Sequence, residues 1–332
     1  MGSSSKATVV LPVLLLVGLL FAGGCRGRNS PGAGAERLRH TWQGEFASRS
    51  TAPEGTLKLL DWNIERGLQF EGVKQAIARE NPDLCILQEA DLHARRTGER
   101  NVAEELARSL GFNYVFGIEF QELGEGSPTT PAYHGQATLS RLPIRSHRVL
   151  RFLKQSDFWK QRRFIPNLAV FERRLGGRMA LITELDWGGR PLVVYNTHLE
   201  SRMPADGRLR QLGELLDDMQ AYPPEAPIVL AGDFNARSHP QRLIQRIESA
   251  GFRAAVATGE PTVLPEDSTA SSFMESALSL VTGAEPRGDY RSIDWIYVRG
   301  PIEFSQGRVH EDVNASNHYP VSVEISLADV QP

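Results

Sequence analysis

Between residues 112 and 200 the chain is a succession of short apolar segments, 112–118, 136–140, 167–171, 179–185 and 191–197, separated by turn-forming residues. Runs this short, bounded in this way, read as strands rather than helices. A chain that commits so much of its length to strands must pair them into sheets and then cover the apolar faces of those sheets. Helical periodicity supplies the cover. Residues 70–80 carry Val73, Ala76 and Ile77 on one stripe and stop at Asn81-Pro82. Residues 99–110 place Val102, Leu106 and Leu110 at i, i+4, i+8 before Gly111, and Leu209, Leu212, Leu215, Leu216 and Met219 form a third stripe. Residues 241–250 read as a fourth helix, and 57–64, 84–88, 228–231, 293–298 and 321–327 as further strands. No internal repeat appears. The pattern predicts one α+β or α/β domain of many strands and few helices, without fixing the strand order.

The 332 residues are 41% hydrophobic, enough for a large core, and carry a net charge of −3. That balance argues against a protein that coats nucleic acid and is compatible with an enzyme that meets phosphates locally. Cys25 and Cys85 allow at most one disulfide, and Cys85 lies in an apolar run as a small buried hydrophobe, so the fold does not rest on a disulfide framework. At the N-terminus Lys6 precedes an uncharged stretch, 7–24, interrupted by Pro12 and ending in small residues. It is short for a membrane span and suits a signal peptide, residues 1–24. Phe21-Ala22-Gly23-Gly24-Cys25 resembles a bacterial lipobox, with Ala22 where Leu, Val or Ile is preferred. The expectation is export to the periplasm or cell surface, with lipidated Cys25 opening a flexible tether over 25–55. That tether is rich in Gly, Ser, Pro and Arg, and a catalytic domain follows over 56–328. Residues 258–290, rich in Ser, Thr, Glu, Gly and Pro, read as a long surface excursion. The basic segment 141–163 reads as a solvated face of strands and loops in preference to a phosphate-facing surface.

The chemistry gathers at strand ends. Three pairs are spaced i, i+2, Asp61 with Asn63, Asn196 with His198 and Asp233 with Asn235, and on a strand that spacing puts both side chains on one face. Glu89 closes the run 83–88, Asp294 opens 293–297, and His318 precedes the last strand. Carboxylates, amides and imidazoles without a cysteine cluster suit a hard cation such as Mg²⁺, Mn²⁺ or Ca²⁺ better than structural zinc.

Seven stretches in order resemble the endonuclease/exonuclease/phosphatase, or deoxyribonuclease-I-like, family. They are Trp62-Asn63-Ile64, Leu87-Gln88-Glu89, the stretch 137–144, Asn196-Thr197-His198-Leu199, Gly232-Asp233-Phe234-Asn235, Ile293-Asp294-Trp295-Ile296 and the stretch 316–321. The resemblance implies a single catalytic domain of α+β class, a two-sheet β-sandwich flanked by helices in four αββα layers, with its site at one rim. It implies hydrolysis of phosphate esters with Mg²⁺ or Mn²⁺. Asn63 and Glu89 would hold the metal, Asp233 and Asn235 would position water and a phosphate oxygen, and Asp294 would orient His318. His198 and Asn196 would stabilise the phosphorane and the leaving oxygen, so Asn196 and Asn235 are the expected phosphate contacts. Either His318 or Asp233 would take the proton. Asn317 stands where the family usually has Asp, beside the metal, and this departure motivates an alternative, an inactive family member serving as an exported binding module. The substrate, whether nucleic acid, phospholipid or nucleotide, is left open by the sequence. The protein is expected to be a monomer that meets the membrane only through its N-terminal anchor.

Overall fold

The computed structural model describes residues 38–48, 55–156, 174–256, 259–265 and 290–328. The signal peptide, Cys25 and the strand expected at 167–171 lie outside these residues. Among the described residues, two sheets stack face to face. The first contains β1 (Thr41–Gly44), β2 (Thr56–Arg66), β3 (Leu84–Leu92), β4 (Asn113–Glu122), β5 (Ala132–Ser140), β13 (Ile302–Phe304) and β15 (Val321–Leu327), in the order β1-β4-β5-β3-β2-β15-β13. β7 (Arg174–Gly176) pairs with β4, and β14 (Arg308–Val309) with β15. The second sheet runs β11 (Arg253–Ala254), β12 (Asp294–Arg299), β10 (Ile228–Asp233), β9 (Arg190–His198), β8 (Met179–Trp187) and β6 (Ile144–Arg151).

The period-2 alternation of the strands decides what each face meets. Leu57 and Leu59 of β2 and Leu84 and Ile86 of β3 point to the seam between the sheets, where Leu192, Val194, Val229, Ala231, Ile296 and Val298 answer them from the other sheet. The intervening residues, Leu60, Trp62 and Ile64 on β2 and Cys85 and Leu87 on β3, face outward onto helices α1 (Phe70–Glu80) and α2 (Val102–Leu110). On the far side Val193, Tyr195, Leu230, Trp295 and Tyr297 receive α3 (Ala205–Asp218) and α4 (Pro240–Ser249). The result is the four-layer αββα sandwich expected, a helix pair on each outer face. Asn101 caps α2, accepting from the Glu104 N–H at 3.2 Å, so this helix starts at Val102 and not at 99.

Two boundaries differ from the sequence expectation. The supposed tether already contains β1, which adds antiparallel to the edge of β4. Trp42 packs its ring on Phe116 and Tyr133, so the folded body begins before residue 41. The excursion over 258–290 is also not wholly on the surface, because its described part, 259–265, carries the buried Thr262 and Val263. In its described part the basic segment is mostly a solvated face, except that Arg151 turns inward onto the carbonyls of Ile118 and Gly177. Arg145 pairs with Asp186 at 2.8 Å and Arg148 makes a two-pronged contact with Asp218. Among the described residues no helix is long and apolar enough to cross a membrane.

Candidate active site

On five strands the seam face starts apolar and ends polar. β2 reads Leu57, Leu59, Asp61, Asn63; β3 Leu84, Ile86, Gln88; β9 Leu192, Val194, Asn196, His198; β10 Val229, Ala231, Asp233; and β12, in reverse, Val298, Ile296, Asp294. The apolar ends make the core and the polar ends meet at one rim. Register does the rest, since Asp233 lies opposite both His198 of β9 and Asp294 of β12. Gly232 permits this closeness: at φ 138° it lets β10 run so near β9 that a Cβ there would sit 1.9 Å from the Thr197 carbonyl oxygen.

Glu89 reaches the rim by another route. The pairing of β3 with β5 shifts register between Leu87 and Ala90, and Glu89 sits in that bulge with φ 56°. A half-buried carboxylate is thereby turned toward the cleft. Burial opposes its charge, but Arg66, His134, His198 and Arg178 around it prevail and hold it well below the usual carboxylate range.

The centre of the site is a carboxylate–imidazole–carboxylate array. His318 Nδ1 contacts both Asp294 oxygens, at 2.9 and 3.0 Å, and its Nε2 lies 3.9 Å from Asp233 Oδ2. The Trp62 indole N–H donates to the His318 carbonyl at 2.8 Å and pins the backbone behind the ring. Burial works against an imidazolium here, yet Asp294, Asp233 and Glu89 together push the His318 pKa up to about 9. Asp233 is also buried, but His198, His318 and the Asn235 N–H keep it well below the usual range. The His198 Nε2 lies 3.3 Å from Asp233 Oδ2, the Asn63 amide donates to that oxygen at 3.3 Å, and the Asn235 N–H donates to Oδ1 at 2.8 Å. Asp294 goes the other way, raised by burial and by Asp233 although His318 and Thr262 oppose the shift.

Several expected residues therefore converge, namely Asn63, Glu89, His198, Asp233, Asp294 and His318. Asn235 is adjacent, in a left-handed turn at φ 49°, with its side-chain amide tied to the Leu199 carbonyl at 2.9 Å. Asn196 is a correction. Both of its N–H bonds cross the seam to the carbonyls of Leu87 and Ala137, each at 3.0 Å, while its oxygen accepts from Gln88 at 3.0 Å. That amide has no donor left for a phosphate, because it sits one step further into the sandwich than His198. Asp61 is likewise in the seam, held by Gln88 at 2.9 Å, and burial raises its carboxyl well above the usual range. Asn317 is exposed at the rim, its N–H donating to Glu65 Oε2 at 3.2 Å; the Glu65 N–H in turn donates to Asn63 Oδ1 at 3.1 Å.

Sequence reasoning missed two partners. Glu119 on β4, fully buried and paired with Arg178 at 2.9 Å, faces His198 Nδ1 at 4.0 Å. Thr262 donates to Asp294 Oδ2 at 2.6 Å. A strand was expected over 112–118 but runs on to Glu122, so Glu119 lies past the predicted end, and Thr262 sits among many Ser and Thr residues.

The donor set fits a divalent cation. Glu89, Asp233 and Asp294 bring three carboxyl groups to a rim they share with the His318 imidazolium. Asp233, Asp294 and His318 bring polar atoms within 4.8 Å of one another, but His318 is protonated and bound to Asp294. The oxygen ligands a hard cation could take are therefore those of Glu89 and Asn63.

The Endonuclease/Exonuclease/phosphatase family profile matches residues 62–318. The crystal structure of an endonuclease/exonuclease/phosphatase from Beutenbergia cavernae aligns with a TM-score of 0.56 at 18% identity, covering 83% of this chain and 72% of that one. The mannosyl-6-phosphatase of Bacteroides thetaiotaomicron aligns at 0.55 with 14% identity, covering 82% and 100%. The TDP2 of D. rerio, humanized by 14 mutations, aligns at 0.52 with 16% identity, covering 82% and 99%. At these identities the likeness is one of fold. No curated protein matches the sequence.

Proposed function

Because this chain belongs to the endonuclease/exonuclease/phosphatase family, we propose that it hydrolyses phosphate esters with a divalent cation held by Asn63 and Glu89. The observation that carries the reading is the buried Asp294–His318 pair facing Asp233 across 3.9 Å, close to the more exposed Asn235 and Asn317. It supplies a hydrogen-bond donor and an acceptor separated by about the width of a reacting group.

The direction of the charge shifts supports a division of roles. His318, with its pKa near 9, is cationic at neutral pH and presents Nε2–H to a phosphate oxygen. Asp233 is ionised, so its Oδ2 accepts from the attacking water and orients it. A carboxylate of such low basicity is a weak general base. That is no obstacle, since phosphoryl transfer through a loose transition state needs positioning more than full deprotonation of the nucleophile. His198, 3.3 Å from the same oxygen, holds Asp233 in place. A bound Mg²⁺ or Mn²⁺ would neutralise charge on a phosphate oxygen. The N-terminal segment supports export with anchoring through Cys25, which directs the activity to substrates outside the cytoplasm.

The test is a hydrolysis panel of DNA, RNA, phospholipids, sugar phosphates and nucleotides, each with Mg²⁺, Mn²⁺ or chelator. At least one substrate should turn over with metal, and Asp233→Asn should lower its kcat by at least about 100-fold, the scale of losing a group that acts in the transition state. Absence of turnover with every metal and substrate would favour the inactive binding module instead.

A further inference from the structure

The segment 259–265 threads beside the catalytic dyad. Thr262 is 1% exposed, and every hydrogen-bonding valence of its hydroxyl is used. The oxygen accepts from the Ile293 N–H at 3.0 Å and from the Asp294 N–H at 3.1 Å. A hydroxyl has one proton to give. Its two acceptors are Asp294 Oδ2 at 2.6 Å and the Arg291 carbonyl at 3.2 Å, and the shorter, charged one takes it. Two N–H donors polarise this O–H toward the carboxylate, and Asp294 Oδ2 is one of the oxygens that face His318 Nδ1 at 2.9 Å.

The same segment also grips the other half of the dyad. Val263 forms a bridge with His318, the Tyr319 N–H donates to the Thr262 carbonyl at 2.7 Å, and the Leu264 N–H to the Asn317 carbonyl at 3.0 Å. Asp294 opens β12 of one sheet and His318 precedes β15 of the other, and among the described residues no backbone hydrogen bond joins their segments directly. Among the described residues, 262–264 tie the two segments together through the backbone.

We propose that Thr262 is a positioning residue of the hydrolase: its hydroxyl fixes the rotamer of the Asp294 carboxylate against His318. The proposal rests on the phosphoesterase reading above. With the hydroxyl in place the carboxylate cannot rotate away from the ring, and the proton stays on Nδ1 with Nε2 aimed at Asp233. Without it Asp294 keeps its burial and its place opposite His318 but loses its orientation. Thr262 thus acts through Asp294 and touches no substrate.

The experiment compares Thr262→Val, Thr262→Ser, Asp294→Asn and the double variant Thr262→Val/Asp294→Asn in the full folded protein. It follows kcat and KM on the best panel substrate and the low-field imidazole N–H resonance of His318 by NMR. Thr262→Val should lower kcat about 10- to 100-fold, the scale of a hydrogen bond to a charged group, with KM within about threefold. Thr262→Ser should restore kcat to within about threefold of the natural protein. In the Asp294→Asn background the valine should change kcat less than about threefold, because the group it acts through is gone. The low-field resonance should disappear or move upfield in Thr262→Val and persist in Thr262→Ser. An unchanged kcat in Thr262→Val overturns the proposal, as do effects that multiply in full in the double variant, which mark Thr262 as a cap of β12 only. If the valine does not fold, Thr262→Ala takes its place under the same criteria, and failure of both to fold assigns a structural role and overturns the proposal. If the natural protein hydrolyses nothing in the panel, the phosphoesterase reading fails, and the resonance in the valine and serine variants still decides whether Thr262 orients the dyad.

Discussion

Replacing Asn196 separates two readings of one residue. As a phosphate contact it would affect substrate affinity and leave the fold alone. As a seam residue it holds the sheets together, and Asn196→Ala deletes three hydrogen bonds of 3.0 Å, leaving the Leu87 and Ala137 carbonyls and the Gln88 amide without this partner. Orphaning a buried neutral group costs about 1–3 kcal/mol, and three bonds from one amide share a network, so the total is about 3–5 kcal/mol and not the simple sum. For a domain of this size each kcal/mol lowers Tm by about 2 °C, which gives a fall of about 6–10 °C. A second effect follows from place. Leu87 is the last paired residue before the bulge that displays Glu89, so loosening it blurs the position of a metal ligand. Outer supports of this kind typically change metal affinity about 10-fold or more. Thermal melts monitored by circular dichroism and Mn²⁺ titration calorimetry on the same preparation test both effects. A Tm within about 2 °C of the natural protein, together with a KM raised about tenfold, would refute the seam argument and return Asn196 to the substrate.

Asp294→Asn removes the main support of the His318 charge. A folded pKa of about 9 against an ordinary value of about 6.5 means this ion contact stabilises the protein fully below about pH 6.5, and the contribution is lost as pH rises through about 9. Melts in chelator should therefore show a stability gap between natural and Asp294→Asn protein at about pH 6 that narrows by about pH 10, and a pH-independent gap rules the coupling out. Glu89→Gln keeps the shape of the bulge and removes its charge, so calorimetry should show Mg²⁺ or Mn²⁺ affinity falling at least about tenfold. The melt in chelator should also drop at neutral pH, because Arg66 and Arg178 lose a counter-charge. Equal affinity in the variant would move the metal away from Glu89. Cys25→Ser should release the protein from the membrane fraction if an acyl chain anchors it, whereas retention would indicate an uncleaved hydrophobic segment.

The sequence made the faces readable and left their depth hidden. Asp61 with Asn63 and Asn196 with His198 stand two apart, and alternation correctly puts each pair on the seam side of its strand. Two residues of strand, however, span about 7 Å, and that is the distance between the open rim and the closed interior. Hence Asn63 and His198 reach Asp233, while Asp61 and Asn196 satisfy one another through Gln88. Nothing in residue type distinguishes the two asparagines, because the difference is set by which residues the opposite sheet brings to each level. The same limit explains the other misses. Trp42 announces a strand only once Phe116 and Tyr133 are known to lie beneath it. The bulge that aims Glu89 is a mismatch between β3 and β5, a property of the pair and of neither strand alone. Thr262 owes its role to Asp294, which lies far along the chain beyond a segment whose composition reads as loop. Functional residues with a recurring local pattern could be found from sequence; those defined by a meeting of distant segments required the structure, and these are the residues that hold the others in place.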